Sequence, residues 1–233
     1  MGNILVIMPA YNEAESIARV ILAVQKNLPD ADILVVNDGS QDTTGAIASR
    51  LGVMVADLPY NMGIGAAMQT GYRYAAVRNY DIAVQVDADG QHPPDQILYL
   101  IEPIMKGKAD AAIGSRFLGK EEYHPSFART IGIKVFAIMV SLITGQKVAD
   151  TTSGFRAVNK RVIQFFAKSY PEDYPEVEAI VLLHKARFNI METSVRMEAR
   201  TRGKSSITPL QAMYYMIKVL LAVLVDMLKK VER

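Results

Sequence analysis

Residues 81–94 read Asp81-Ile82-Ala83-Val84-Gln85-Val86-Asp87-Ala88-Asp89-Gly90-Gln91-His92-Pro93-Pro94. This is an apolar strand pattern that ends in two carboxylates one residue apart, then a glycine, an amide and a Pro-Pro pair that opens the next helix. Alternate side chains of extended backbone point the same way, so Asp87 and Asp89 leave the strand end on one side. Gly90 permits the sharp turn that brings Gln91 back toward them. Hard oxygens that converge in this way suit Mg²⁺ or Mn²⁺, which take carboxylate and amide ligands and complete an octahedron with substrate phosphates and water. The same residues also describe a solvated turn with an Asx cap. What lies at the other strand ends decides between the two.

Toward the N-terminus the pattern repeats. Asn3 to Met8 is an apolar run stopped by Pro9, which reads as a strand buried on both faces. Glu13 to Leu28 carries Ile17, Val20, Ile21 and Val24 at helical spacing. Strands are predicted at Ile33 to Val36 and Val53 to Ala56, with helices from Thr43 or Thr44 to Leu51 and from Gly65 to Val77. Such βα alternation with short connections predicts an α/β fold: a Rossmann-like, mostly parallel sheet flanked by helices, with the ligand site at the carboxyl ends of the strands. Pro9 to Glu13, Asn37 to Asp42, Asp57 to Gly65 and Asp87 to Gln91 all fall at those ends. A solvated turn would have to recur independently at each of them, so one binding rim is the better reading.

Toward the C-terminus a helix is expected from Pro94 to Met105 and a strand from Ala109 to Ile113, ending at Gly114-Ser115-Arg116. Ala128 to Thr144 is a long apolar helix suited to core, lipid or another subunit. Asp150 to Arg156 returns to the short polar residues and Gly of the rim. Helices at Lys160 to Phe166 and Tyr174 to Arg187 and a strand at Ile190 to Met197 follow. Arg200 to Ser206 is a basic loop, either a solvated turn or a phosphate contact. The last helix, Pro209 to Val231, is apolar but interrupted by Lys218, whereas a membrane span needs about 20 apolar residues in a row. It fits an interfacial helix or one that packs on a second copy of the chain.

Composition narrows the classes. Half of the 233 residues are hydrophobic, enough for a sizeable core. We read one domain over residues 1–233, with a nucleotide-sugar part at 1–117, an acceptor side at 118–208 and the apolar helix at 209–233. With no cysteine, disulfides and thiolate zinc sites are excluded, and a reducing cytoplasmic setting is expected. The start goes directly into a strand pattern, so no signal peptide is expected. A net charge of +2 does not argue for nucleic acid. No Gly-x-Gly-x-x-Gly follows the first strand and no Walker loop is present, which disfavours hydride transfer and P-loop chemistry. A nucleoside diphosphate sugar fits the rim. Asp38 could accept from base or ribose, the Pro9–Glu13 loop could hold the base edge through backbone groups, Tyr11 and Glu13, and Asp87, Asp89 and Gln91 could hold the divalent ion against the phosphates.

The motifs Pro9-Ala10-Tyr11-Asn12-Glu13, Val36 to Asp42, Asn61-Met62-Gly63, Asp87 to Pro93 and Gly114-Ser115-Arg116 resemble, in order and spacing, the inverting family 2 glycosyltransferases with the GT-A fold. Asp150 to Arg156, Arg202 to Ser206 and the apolar helix before Asp150 resemble the polyprenyl-phosphate branch typified by dolichyl-phosphate mannose synthase. The resemblance implies that Pro9, Tyr11, Glu13 and Asp38 bind the nucleotide and that Asp87, Asp89 and Gln91 bind metal. It also implies that Arg116, Arg129, Arg202 and Lys204 face phosphates of donor or acceptor. Asp89 and Arg116 are then the catalytic candidates, with Glu176 as a third. Relatives that act on hydroxyl acceptors carry a Glu-Asp pair whose Asp is the base; the comparable place here reads Tyr174-Pro175-Glu176-Val177-Glu178, without an Asp after the Glu. A polyprenyl phosphate is already anionic and needs no base, whereas a saccharide hydroxyl would require Glu176 in that role. Glu176 and Glu178 also suit a helix N-terminus as a plain charge pair. The expected activity is hexose transfer from a nucleoside diphosphate sugar to a polyprenyl phosphate, with Mg²⁺ or Mn²⁺, peripheral at the inner face of the membrane. A saccharide acceptor and a catalytically silent nucleotide-sugar-binding scaffold are the alternatives.

Overall fold

A computed structural model describes residues 2–119, 127–145, 148–198, 218–223, 225 and 227; for 127–134 and 144 it describes the backbone alone. The first half follows the alternation: β1 (Ile4–Ala10), α1 (Ile17–Asn27), β2 (Asp32–Asn37), α2 (Thr44–Arg50), β3 (Met54–Asp57), α3 (Ile64–Val77) and β4 (Ile82–Gln85). There follow α4 (Ile97–Met105), β5 (Ala111–Ser115), α5 (Phe127–Thr144), β6 (Arg156–Asn159), α6 (Lys160–Lys168), α7 (Pro175–Lys185) and β7 (Ile190–Ser194). The seven strands form one sheet in the order β3-β2-β1-β4-β6-β5-β7. All neighbours are parallel except β6, which runs against both β4 and β5.

The alternation of β1 explains its central place. Ile4, Val6 and Met8 pack on one face of the sheet with Ile17, Val20 and Ile21 of α1 and Ile97, Leu100 and Ile101 of α4. Leu5 and Ile7 pack on the other with Met68 and Tyr72 of α3 and Phe166 of α6. Each such side chain, fully buried, contributes about 1.5–3 kcal/mol. Both faces of the strand are therefore apolar, as its unbroken hydrophobic run requires.

Pro9 does not end β1, contrary to the expectation from its sequence. The amide of Asp38 bonds to Ala10 O on the β2 side, and the amide of Val86 bonds to Ile7 O on the β4 side. Pro9 shares the orientation of Ile7, and it lies beyond the β4 ladder, whose register stops at Ile7 and Gln85. Its missing N–H therefore costs no ladder bond. The other departure is β6, a strand in a stretch whose sequence predicts a rim loop followed by a helix.

A third apolar cluster lies beside the sheet. Phe136 and Val140 of α5, Val177, Ile180 and Val181 of α7, and Val219 and Val223 of the helical stretch 218–223 pack there with Ile113 of β5. The expected C-terminal helix is described over 218–223, and 209–217 lies outside the described residues. No helix among the described residues is long and apolar enough to cross a membrane.

Candidate active site

The carboxyl ends of β1, β2, β3, β4, β5 and β7 point to one edge, and the antiparallel β6 begins there, with Arg156 opposite Gln85. The predicted polar loops therefore do share a rim.

Loops 11–14 and 40–44 are bonded to each other. The amide of Asn12 donates to Ser40 Oγ (3.0 Å) and that of Gln41 to Asn12 Oδ1 (2.8 Å). The Glu13 amide donates to Thr44 Oγ1 (2.8 Å), and the Ala14 amide to Asp42 Oδ2 (3.1 Å). Asn12 sits at φ 55°, a left-handed conformation that Asn tolerates better than most residues. Tyr11 is left exposed, while Pro9 is buried inside β1, so it shapes the floor of this loop and does not project from it. The Glu13 carboxylate accepts from Ser16 Oγ at 2.8 Å.

Asp38 follows β2 directly, at the rim. It is buried, and its two carboxylate oxygens accept the backbone amides of Met62 (2.7 Å) and Gly63 (2.9 Å). Next to it, Gly39 at φ 67° lies so close to the backbone of Tyr60 and Asn61 that a Cβ would fall 2.3 Å from the Tyr60 carbonyl carbon. Asp38 thus acts as a clamp between the rim loops after β2 and β3.

In the acidic loop after β4, Asp87 and Asp89 are partly exposed and Ala88 is buried between them. Gln91 closes onto Asp89, donating from its backbone amide to Oδ1 (2.9 Å) and from Nε2 to Oδ2 (2.8 Å). Asp87 Oδ1 accepts from Gln85 Nε2 at 3.1 Å. No group of three or more His, Cys, Asp or Glu converges among the described residues. Two carboxylates and an amide on one loop are oxygen donors of the kind Mg²⁺ or Mn²⁺ takes, with water and substrate phosphate completing the shell. A structural zinc would need a closed set of four ligands.

On the other side of the rim the charges are paired. Arg116 is buried and forks onto Asp150, with Nε to Oδ2 and Nη2 to Oδ1 both 2.7 Å, and Nη2 also reaches Thr152 Oγ1 at 2.7 Å. Glu192 of β7 accepts the amides of Ala149 (2.9 Å) and Asp150 (2.8 Å). The expectation that Arg116 faces a phosphate meets a guanidinium engaged in the protein. Arg129 lies on α5 with its side chain outside the described residues, as are Arg202 and Lys204.

Glu176, in the first turn of α7, does reach the rim. Burial pushes its carboxyl above the usual range; the Arg156 guanidinium opposes this and the nearby Asp87 charge adds to it. Arg156, buried at the start of β6, donates to the carbonyls of Ser153 (3.0 Å), Pro175 (3.1 Å) and Glu176. It ties α7 to the sheet. A Glu-Asp pair is present after all, at Glu172-Asp173, just before the place compared in the sequence reading. Both residues are exposed, in a loop whose Pro171 and Glu172 carbonyls press on Gly65 at the start of α3.

Sequence reasoning also passed over Gln85, His92 and Arg156. A signal was available for two of them: Gln85 and Arg156 are polar residues inside otherwise apolar strands, which need partners when buried.

The model of the family Glycosyl transferase family 2 matches residues 5–166. Polyprenol monophosphomannose synthase of Mycolicibacterium smegmatis is 31% identical over 92% of this chain and 84% of its own length. UDP-N-acetylglucosamine--dolichyl-phosphate N-acetylglucosaminyltransferase of Methanococcus voltae is 30% identical over 83% of this chain and 84% of its own. Among solved structures, glucosyl-3-phosphoglycerate synthase from Mycobacterium tuberculosis, in complex with Mn²⁺, uridine-diphosphate and phosphoglyceric acid, superposes with a TM-score of 0.72 at 20% identity, covering 97% of this chain and 78% of that one. The sheet order, the acid-ended β4 and these likenesses agree on a GT-A fold, and the chain belongs to glycosyl transferase family 2.

Proposed function

We propose that the chain transfers a hexose, with inversion, from a nucleoside diphosphate sugar to a polyprenyl phosphate at a membrane surface. The observation that carries this reading is the junction of an acid-ended rim with an apolar flank. Ile113 of β5, whose strand ends at the rim, belongs to the cluster that joins α5 to residues 218–223. On the outer side of these helices Ile138 (63%), Leu142 (79%), Leu221 (57%) and Val225 (51%) are exposed. An apolar face of this kind suits the acyl boundary of a bilayer, where a prenyl chain would lie. The two named relatives act, by their names, on polyprenol or dolichyl phosphate with different sugars.

In this reading the Tyr11–Glu13 loop, held by Asp42 and Thr44, receives the nucleotide, and the Asp38 clamp keeps the 61–63 turn against it. Asp87, Asp89 and Gln91 would hold a divalent ion, which would supply positive charge beside the departing diphosphate. An acceptor phosphate oxygen forms the new bond to the anomeric carbon while the bond to the diphosphate breaks, and the diphosphate leaves with the electron pair. No proton has to be removed. Arg129, Arg202 and Lys204 are the cations proposed to meet the phosphates, since guanidinium and ammonium groups match them in charge and geometry.

A second reading has one observation in its favour. The raised carboxyl of Glu176 beside Asp87 is what a general base for a saccharide hydroxyl would need. Incubation of the chain with Mn²⁺, a panel of nucleotide sugars and extracted polyprenyl phosphate should yield labelled lipid with at least one donor. Glu176→Gln should retain that turnover. Loss of turnover with donor binding intact would move the assignment to the hydroxyl acceptor, and absence of any turnover would favour a binding scaffold.

A further inference from the structure

Asp87 is held from several sides by groups that take no part in the transfer proposed above. His92 is 4% exposed, and its Nδ1 accepts the backbone amide of Asp87 at 3.0 Å. With Nδ1 accepting, the proton of the neutral ring sits on Nε2, which lies 3.6 Å from Asp87 Oδ2. That is too long for a hydrogen bond, yet the N–H dipole and the carboxylate still attract. The ring is fixed in this position by stacking on Phe155, with centroids 4.9 Å apart and planes 13° from parallel.

Gln85 completes the hold from the strand. It is buried within β4, where an amide needs a partner, and Asp87 Oδ1 supplies it. Gly154, on the loop before β6, lets these groups meet. A Cβ there would lie 2.9 Å from Gln85 Nε2 and 3.5 Å from both Asp87 Oδ2 and His92 Cε1. Two stretches of chain, residues 85–92 and 154–155, thus meet at one carboxylate, while that side chain keeps 34% of its surface open.

We propose that His92, with Gln85 and Gly154, positions Asp87: it locks the backbone and carboxylate orientation of one metal ligand without touching donor or acceptor. This role rests on the reading of Asp87 and Asp89 as metal ligands. Groups of this kind commonly set metal affinity by 10- to 100-fold, because they fix the ligand before the ion arrives.

The test is titration of the full chain with Mn²⁺ alone, following the free ion by electron paramagnetic resonance, with thermal melts in parallel. His92→Asn keeps an acceptor for the Asp87 amide and loses ring volume; His92→Leu keeps volume and loses the acceptor. The expected result is Mn²⁺ affinity close to wild type for His92→Asn and roughly 10-fold weaker for His92→Leu. Gln85→Met and Gly154→Ala should also weaken binding, and they carry the test if His92→Leu fails to fold. Equal affinities in His92→Leu and wild type, or an order set by ring volume, would overturn the positioning role while leaving the metal site standing. Failure of the wild-type chain itself to bind Mn²⁺ would remove the metal reading, and this role with it.

Discussion

The two flanks of the rim use the same residue types in opposite ways. On the flank of β1 to β4, carboxylates are held by neutral donors: Asp38 by the amides of Met62 and Gly63, and Asp42 by the amides of Ala14 and Thr44. On the flank of β5 to β7, a buried carboxylate and a buried guanidinium neutralise each other, as in Asp150 and Arg116. Carboxylates ordered by neutral donors keep their negative potential for an incoming cation. The Arg116 guanidinium directs its charge onto Asp150. The two flanks thus differ in whether a carboxylate is held by neutral donors or by a cation.

The largest effect expected is at the first flank. Asp89→Ala should lower turnover by about 10²-fold or more, the scale of removing one preorganised electrostatic group, with little change in melting temperature. An unaffected rate would end the distinction between the flanks, along with every metal-dependent reading. Second in size is Arg116→Met, which leaves Asp150 buried and unpaired and should cost about 3–5 kcal/mol in denaturant unfolding. Arg116→Met combined with Asp150→Leu should recover much of that loss. If Arg116→Met instead leaves stability unchanged and abolishes transfer, Arg116 faces a substrate phosphate after all.

Asp38→Asn turns one acceptor toward an amide into a donor, with an expected loss of about 1–3 kcal/mol. A variant of wild-type stability that fails to bind donor would restore Asp38 to the nucleotide site. The smallest effect sharpens the place where the flanks meet. Burial raises the carboxyl of Glu176 above its ordinary value of 4.5, against Arg156 and with Asp87, so the folded protein binds a proton there more tightly than the unfolded chain. Stability from this group is therefore lost as pH rises from about 4.5 through the folded-state value. Glu176→Gln should melt like wild type at pH 4 and at a slightly higher temperature at pH 7. Thermal melts across that range check the sign.

Much of the flank from β1 to β4 was legible in the sequence because its signals are local. Hydrophobic runs and turn residues placed β1 to β4 and their helices within a few residues, and the Asp87-Ala88-Asp89 spacing alone predicted two carboxylates on one side of a strand end. β6 was missed because it is four residues long and opens on a charged residue, with no alternation to read. Pro9 misled for a related reason: whether a proline ends a strand depends on which neighbour its missing N–H would have faced.

The sequence by itself determined the fold class, the loops that form the rim and the acidic pair at its centre. Only the tertiary structure decided which charges are available there. Arg116 is bonded to Asp150, and Asp38 holds the amides of the 61–63 turn, partners that residue type alone does not reveal. The reason is physical: residue type sets what a side chain can bind, but burial and partners from distant stretches of chain set what it has left to offer.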